Sequence, residues 1–320
     1  MGLTTATREG LRAPTRTTVR RFAVASLVAN IVIVVTGSAV RLTDSGLGCP
    51  SWPRCSGRSF VTHGALGVHG AIEFGNRMLT FVLAAVAIAT WLVVMRYRPR
   101  RRSLVVLATL LALSVPAQAV LGGLTVLTDL NPWVVSSHLL FSLAIIALAV
   151  VLVRRVDERD EPARPTVPRP VTLLARTTFA ASWVVLALGT VVTGSGPHAG
   201  DVDSPRNGLA PAAVSQLHAD AVFLLLGLTI GTLLALRAAG APERACRAAA
   251  WLLGIELFQG AVGITQYLTD LPIVLVGLHV LGAALVSAAA GWLMLGLRDR
   301  GLQGSTDDPV HRRRHDVRVP

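Results

Sequence analysis

The chain contains no lysine, only three cysteines and little charge: 15% of its 320 residues are Asp, Glu or Arg. Each shortage removes a class of protein. Three cysteines are too few for a scaffold built on disulfides, and Cys49 and Cys55 have no third and fourth ligand nearby at metal-binding spacing. Aromatic residues make up 5% and do not interleave with the arginines, so the net charge of +12 is not the footprint of a nucleic-acid surface. What remains is a 52% apolar chain. That composition suits an all-α polytopic membrane protein.

Eight apolar runs are long enough to cross about 30 Å of hydrocarbon: 22–40, 72–95, 104–127, 133–153, 177–195, 212–236, 248–267 and 273–297. The first is longer than the apolar core of a signal peptide and lacks a small-residue cleavage site, so it is expected to stay in the protein. The arginines gather on alternate ends: in the tail (Arg8, Arg12, Arg16, Arg20, Arg21), at 96–102, at 154–169, at 237–247 and from Arg298 onward. The other loops carry only Arg41, Arg54, Arg58 and Arg206. The positive-inside rule therefore predicts a multi-pass protein of the plasma membrane with both termini in the cytoplasm.

That orientation puts Cys49 and Cys55 on the oxidising side, six residues apart, where they read as a disulfide, either structural or redox-active. Cys246 falls at an inner helix end and is expected to be a free thiol. The charged, proline-rich stretch 154–176 divides the chain. The expected organisation is a basic tail (1–21), an N-terminal four-helix bundle (22–153) with an external cysteine loop (42–71), a linker (154–176), a C-terminal four-helix bundle (177–297) and a second tail (298–320). Four crossings per half keep both halves in one orientation, so the two bundles are expected in tandem, related by a pseudo-twofold axis along the membrane normal. Each half opens alike, with Val34-Val35-Thr36-Gly37-Ser38 matching Val191-Val192-Thr193-Gly194-Ser195.

A longer repeat carries the chemistry. Gln118, Gly122, Leu127, Thr128, Asp129, Leu130 and His138 recur 141 residues later as Gln259, Gly263, Leu268, Thr269, Asp270, Leu271 and His279. His138, His218 and His279 each follow a proline (Pro132, Pro211, Pro272) by six or seven residues. If each proline starts a helix, every imidazole sits about 10 Å from the outer face. His218 and His279 then face each other at one level, the geometry for axial ligation of a haem iron. Two buried histidines hydrogen-bonded to carbonyls or hydroxyls would be the plainer reading.

In the first half the position equivalent to His218 is Asn76, a poor iron ligand, while His69 stands one turn before Glu73 and could reach over the site. Glu73 is costly at the outer end of an apolar helix unless paired or used. Pairing with Arg77 at i+4 is one explanation, proton transfer beside a substrate the other. Arg77 and Arg41 are candidates to neutralise porphyrin propionates. Asp220 and Glu256 are further intramembrane acids.

The stretch from Thr36-Gly37-Ser38 through Arg41-Leu42-Thr43-Asp44-Ser45-Gly46-Leu47-Gly48-Cys49-Pro50-Ser51-Trp52-Pro53-Arg54-Cys55 resembles the haem A synthase family. So do Ile72-Glu73-Phe74-Gly75-Asn76-Arg77, Gln216-Leu217-His218-Ala219 and Leu278-His279. The resemblance implies two four-helix bundles, one binding haem b and one accepting haem O. It also implies oxidation of the haem O C8 methyl group to a formyl group by successive hydroxylations, for cytochrome oxidase. On that basis His218 and His279 ligate haem b, His138 faces the substrate iron, Glu73 matches an essential glutamate and Cys49–Cys55 an external disulfide. A quinol-type donor, haem O synthase and cytochrome oxidase assembly factors are the implied partners, besides the lipid bilayer. Many members carry histidine where this chain has Asn76, so the substrate haem here is expected to have an open coordination position. The rivals are a haem-binding electron carrier that leaves haem unmodified, and a transporter, suggested by duplicated bundles and Pro116 within the third run.

Overall fold

The structure is a computed structural model that describes residues 13–57 and 59–302. The expected tail arginines at Arg8 and Arg12, those beyond residue 302, and Arg58 lie outside the described residues. Eight helices follow: α1 (Arg16–Leu42), α2 (Gly67–Arg96), α3 (Arg102–Leu127), α4 (Pro132–Asp157), α5 (Arg169–Ser195), α6 (Pro211–Ala238), α7 (Glu243–Leu268) and α8 (Ile273–Gly296). All eight are long and apolar enough to cross a membrane.

Several helices outrun the apolar runs at their arginine-rich ends. α1 begins at Arg16, six residues before the run; α4 continues to Asp157, and α5 begins at Arg169. Hydropathy marks only the hydrocarbon-matched middle, whereas arginine is a good helix former and carries the helix into the polar zone. The linker expected over 154–176 therefore shortens to 158–168. Part of it is a two-residue strand, β1 (Arg164–Pro165), paired antiparallel with β2 (Arg298–Asp299) just after α8.

The prolines mark helix starts as expected. Pro132 and Pro211 are the first residues of α4 and α6, and Pro272 caps α8. The Asn131 side chain accepts the Trp133 N–H at 3.0 Å, satisfying one of the orphan donors of α4. The turns before α4 and α8 share an unusual shape. Asp129 and Leu130 have φ of 50° and 58°, Asp270 and Leu271 58° and 60°, and each leucine N–H bonds five residues back at 2.8 Å. The sequence repeat is thus a repeat of backbone conformation. By contrast α3 runs unbroken through Pro116, which removes the broken helix that would favour transport.

α1 packs on α2 and α4, and α3 on α2 and α4, so the first four helices close a ring; α5 to α8 close another in the same way. Between the rings α4 lies against α5 and α8, and α1 against α8. Buried Leu143 and Ile146 of α4 join Leu233, Leu236, Leu252 and Leu293 in one core cluster. Small residues bring α4 and α8 close: Gly291 stands against Ala147, and the Ser287 hydroxyl donates to the Leu143 carbonyl at 2.7 Å. Ion pairs Arg16–Asp157 (2.8 Å), Arg101–Asp160 (3.2 Å) and Arg244–Asp299 (3.4 Å) gather the arginine-rich helix ends on one side of the molecule. The histidines occupy the opposite side.

Candidate functional site

The second ring brings His218 of α6 and His279 of α8 together, with ring centroids 6.4 Å apart and ring planes at 78°. Both rings are half-buried, and neither Nδ1 has a hydrogen-bond partner. Each ring rests on a glycine of the neighbouring helix. A Cβ at Gly189 of α5 would stand 3.3 Å from His218 Cε1, and one at Gly263 of α7 3.3 Å from His279 Cε1. Only glycine lets the helices approach this closely with the ring between them.

This pair fits an iron held between two imidazoles. A metal binds imidazole nitrogen at about 2 Å, so two such bonds in line leave the nitrogens about 4 Å apart and the ring centroids about 6 Å apart. Among the described residues no group of three or more His, Cys, Asp or Glu could hold a bare ion. A porphyrin, which supplies its own in-plane nitrogens, needs only one or two protein ligands. The donor set matches that requirement.

The first ring repeats the arrangement once. His138 of α4 sits over Gly122 of α3, again 3.3 Å from the Cβ position to Cε1, with its Nδ1 unpartnered. Below it the Gln118 amide donates to the His138 carbonyl at 3.2 Å and to Ser142. Asn76 of α2 faces Gly37 of α1, 3.9 Å from its Cβ position, with a buried, unsatisfied Oδ1. Gly37 therefore plays toward Asn76 the part that Gly189 plays toward His218. The Val-Val-Thr-Gly-Ser match had paired Gly37 with Gly194, which instead packs against Pro132 and Asn207. A five-residue identity in apolar helix sequence does not fix register.

The external loop is clamped over this half. Cys49 and Cys55 form the disulfide. The buried Glu73 carboxylate accepts the Cys49 N–H at 2.6 Å through one oxygen and Arg77 through the other. Arg77 spends all five N–H groups, two on Glu73 and three on the carbonyls of Cys49, Ser51 and Arg54. None is left for a propionate; Glu73 Oε1 takes both Arg77 bonds, while Oε2 takes the Cys49 N–H alone and keeps acceptor capacity. The i+4 pair expected as one explanation of Glu73 is present. With the loop so held, the Trp52 ring lies against Gly123, next to the Gly122 seat of His138.

The remaining expected residues are scattered. His69 is exposed and bonds Ser45 at 3.0 Å in the outer loop. Arg41 donates to the carbonyls of His198 (2.7 Å) and Thr193 (2.9 Å), tying α1 to the second half, with no carboxylate partner among the described residues. Asp220 is exposed and paired with Gln216 at 2.7 Å, whereas Glu256 is buried and accepts from Thr229 at 2.9 Å. Cys246 is a free thiol. The glycine seats and Trp52 escaped sequence reasoning as functional positions. Gly122 and Gly263 carried a signal, since both belong to the repeat that contains His138 and His279.

Residues 20–66 and 67–205 match the COX15-CtaA family, described as cytochrome oxidase assembly protein. Among curated proteins, the chain is similar to a heme A synthase of Shewanella oneidensis, 29% identical over 156 residues, covering 44% of this chain and 46% of that protein. A heme A synthase of Lysinibacillus sphaericus is 31% identical over 132 residues, covering 41% and 42%. One from Geobacillus kaustophilus is 33% identical over 112 residues, covering 34% of each. The chain thus matches less than half the length of these relatives.

Proposed function

Because the chain belongs to the COX15-CtaA family of cytochrome oxidase assembly proteins, we propose that it works as a haem A synthase. On this reading it is an oxidoreductase that converts the C8 methyl group of haem O into a formyl group by successive hydroxylations. The observation that carries the reading is the His218–His279 pair, spaced at 6.4 Å on two glycine seats, with one equivalent seated imidazole, His138, in the other half.

We read the two helix rings as tandem bundles with distinct tasks. His218 and His279 would hold haem b, which supplies one-electron transfer from a quinol-type donor. Gly189 and Gly263 set the depth of the two rings. His138 would hold the iron of the substrate haem O, with Asn76 leaving the opposite side uncoordinated. Glu73 and Arg77 act by positioning: they fix the disulfide loop and hold Trp52 over α3 beside His138. Arg41, whose Nη1 has no protein partner among the described residues, is the cation offered to a propionate at the outer face. The apolar outer surfaces of the helices suit lateral entry of a prenylated haem from the bilayer. The clustering of arginine-rich ends on the side away from the histidines supports a plasma-membrane protein with both termini in the cytoplasm. Haem O synthase and oxidase assembly factors would be its neighbours in the assembly sequence.

The test is identification of the haems extracted from protein purified out of haem-replete cells. The expected result is a Soret band, protohaem, and the formyl porphyrin by pyridine haemochrome. His138→Ala should keep the C-terminal haem spectrum and lose haem A. Colourless protein, or haem A persisting in that variant, would overturn the assignment; protohaem alone in the wild type would favour the electron carrier.

A further inference from the structure

At the end away from the histidines, a cavity of about 580 Å³ opens between the start of α3, the end of α4 and the segment after α8. Arg102, Arg155, Arg298 and Arg300 line it, and Val106, Leu107 and Val151 form its apolar side. Its one carboxylate is already engaged. Asp160 accepts from Arg101 at 3.2 Å, Ser103 at 2.6 Å and Arg155 at 2.6 Å. Glu158 accepts from Arg154 and Arg155 and comes no nearer than 4.0 Å to Arg300. The Nε groups of Arg298 and Arg300 are buried without a hydrogen-bond acceptor, Glu158 being too far to accept, and Arg102 has no ion pair among the described residues.

Buried guanidinium N–H groups without acceptors are costly, and a phosphate offers acceptors of matching charge and geometry. We propose that this cavity binds the phosphodiester headgroup of an anionic phospholipid, with an acyl chain running along α3. Two features favour lipid over a free anion. The cavity lies where helices leave their apolar stretch, at the depth of headgroups. Its apolar side continues outward as exposed Val106, Leu110 and Leu113, which follow one face of α3 for about two turns. A small soluble anion has no use for that stripe.

The full-length protein, purified in detergent, is titrated with phosphatidylglycerol, with phosphatidylcholine and with inorganic phosphate while its thermal unfolding is followed. Phosphatidylglycerol should raise the midpoint and saturate, and the other two should not. Arg102→Gln removes a charge with no ion pair among the described residues, and Arg298→Gln removes one whose Nε has no hydrogen-bond acceptor. Each should weaken the apparent affinity about fivefold. Arg247→Gln, at an exposed position on the same side but outside the cavity, should leave it unchanged. Equal weakening by Arg247→Gln would mean bulk surface charge and overturn the site. An equal response to inorganic phosphate would overturn the lipid, and no response to phosphatidylglycerol would overturn both.

Discussion

A single glycine decides where each imidazole stands. A Cβ at Gly263 would fall 3.3 Å from His279 Cε1, so alanine must push the ring by a few tenths of an ångström, and a larger side chain must expel it. If the pair holds an iron, Gly263→Ala should shift the Soret and low-spin signals of the purified protein, while Gly263→Leu should abolish them. Unchanged spectra in both variants would remove the seat from the argument. Glu73 poses the complementary case, a residue whose importance rests on its partners. It is buried, its side chain 7% exposed against 20% for Arg77, and the two residues together tie down the loop. Glu73→Gln leaves the guanidinium without its counter-charge, and breaking such a pair costs about 3 kcal/mol. The unfolding midpoint should drop, and Cys49–Cys55 should become faster to reduce. The same reduction rate with the same loss of stability would mean that Glu73 supports α2 alone.

At the level of helices and turns, the two Asp-Leu turns show how a duplicated sequence preserves strain as well as contacts. A left-handed backbone costs a non-glycine residue about 1–2 kcal/mol. Asp270 is exposed, and aspartate tolerates this backbone better than most residues, so Asp270→Gly should raise stability by less than about 1 kcal/mol in thermal unfolding. Leu130 is 7% exposed and packs against Gly46 and Gly200, so Leu130→Gly should lower stability by about 1 kcal/mol, lost burial outweighing relieved strain. A gain at both positions would mean that the leucine contributes nothing by packing. These elements were legible because their signals are local. Prolines start the helices, apolar runs set their middles, and a fixed offset ties His138 to His279. The helix ends were less so, because arginine is compatible with both helix and linker. The clamp on the outer loop was only half visible. Glu73 and Arg77 stand at helical spacing in the sequence, but nothing there tells that a Cys49 N–H 24 residues upstream folds back onto the carboxylate.

The molecule as a whole is held at two ends by different means. On the histidine side the halves meet through backbone contacts, such as the Gly46 N–H to the Gly200 carbonyl at 2.8 Å, and through Arg41. On the other side the contacts are charged, and they cross between the halves where Arg300 comes within 4.0 Å of Glu158. Asp160 joins α3 to α4 through Arg101, Ser103 and Arg155, and Arg300, which follows α8, donates to the Glu161 carbonyl in the linker. Burial alone would push the Asp160 carboxyl up, but the hydrogen bonds from Arg101 and Ser103, with the charges of Arg101 and Arg155, hold it below its ordinary 3.8. A carboxyl depressed by folding binds fewer protons in the native state than in the unfolded one. Its stabilisation is therefore complete above the ordinary carboxylate range and is lost as pH falls through the lower native value. Unfolding midpoints taken across the acid range should drop more steeply for the wild type than for Asp160→Asn, whose midpoint should also be lower at neutral pH. Since the Asp160 side chain is 41% exposed, screening will shrink the difference, and added salt should narrow it further. Wild-type and variant curves that stay parallel down to the lowest pH would show that the charged end holds together without Asp160, leaving β1–β2 and the packing of α4 against α8 as the seam.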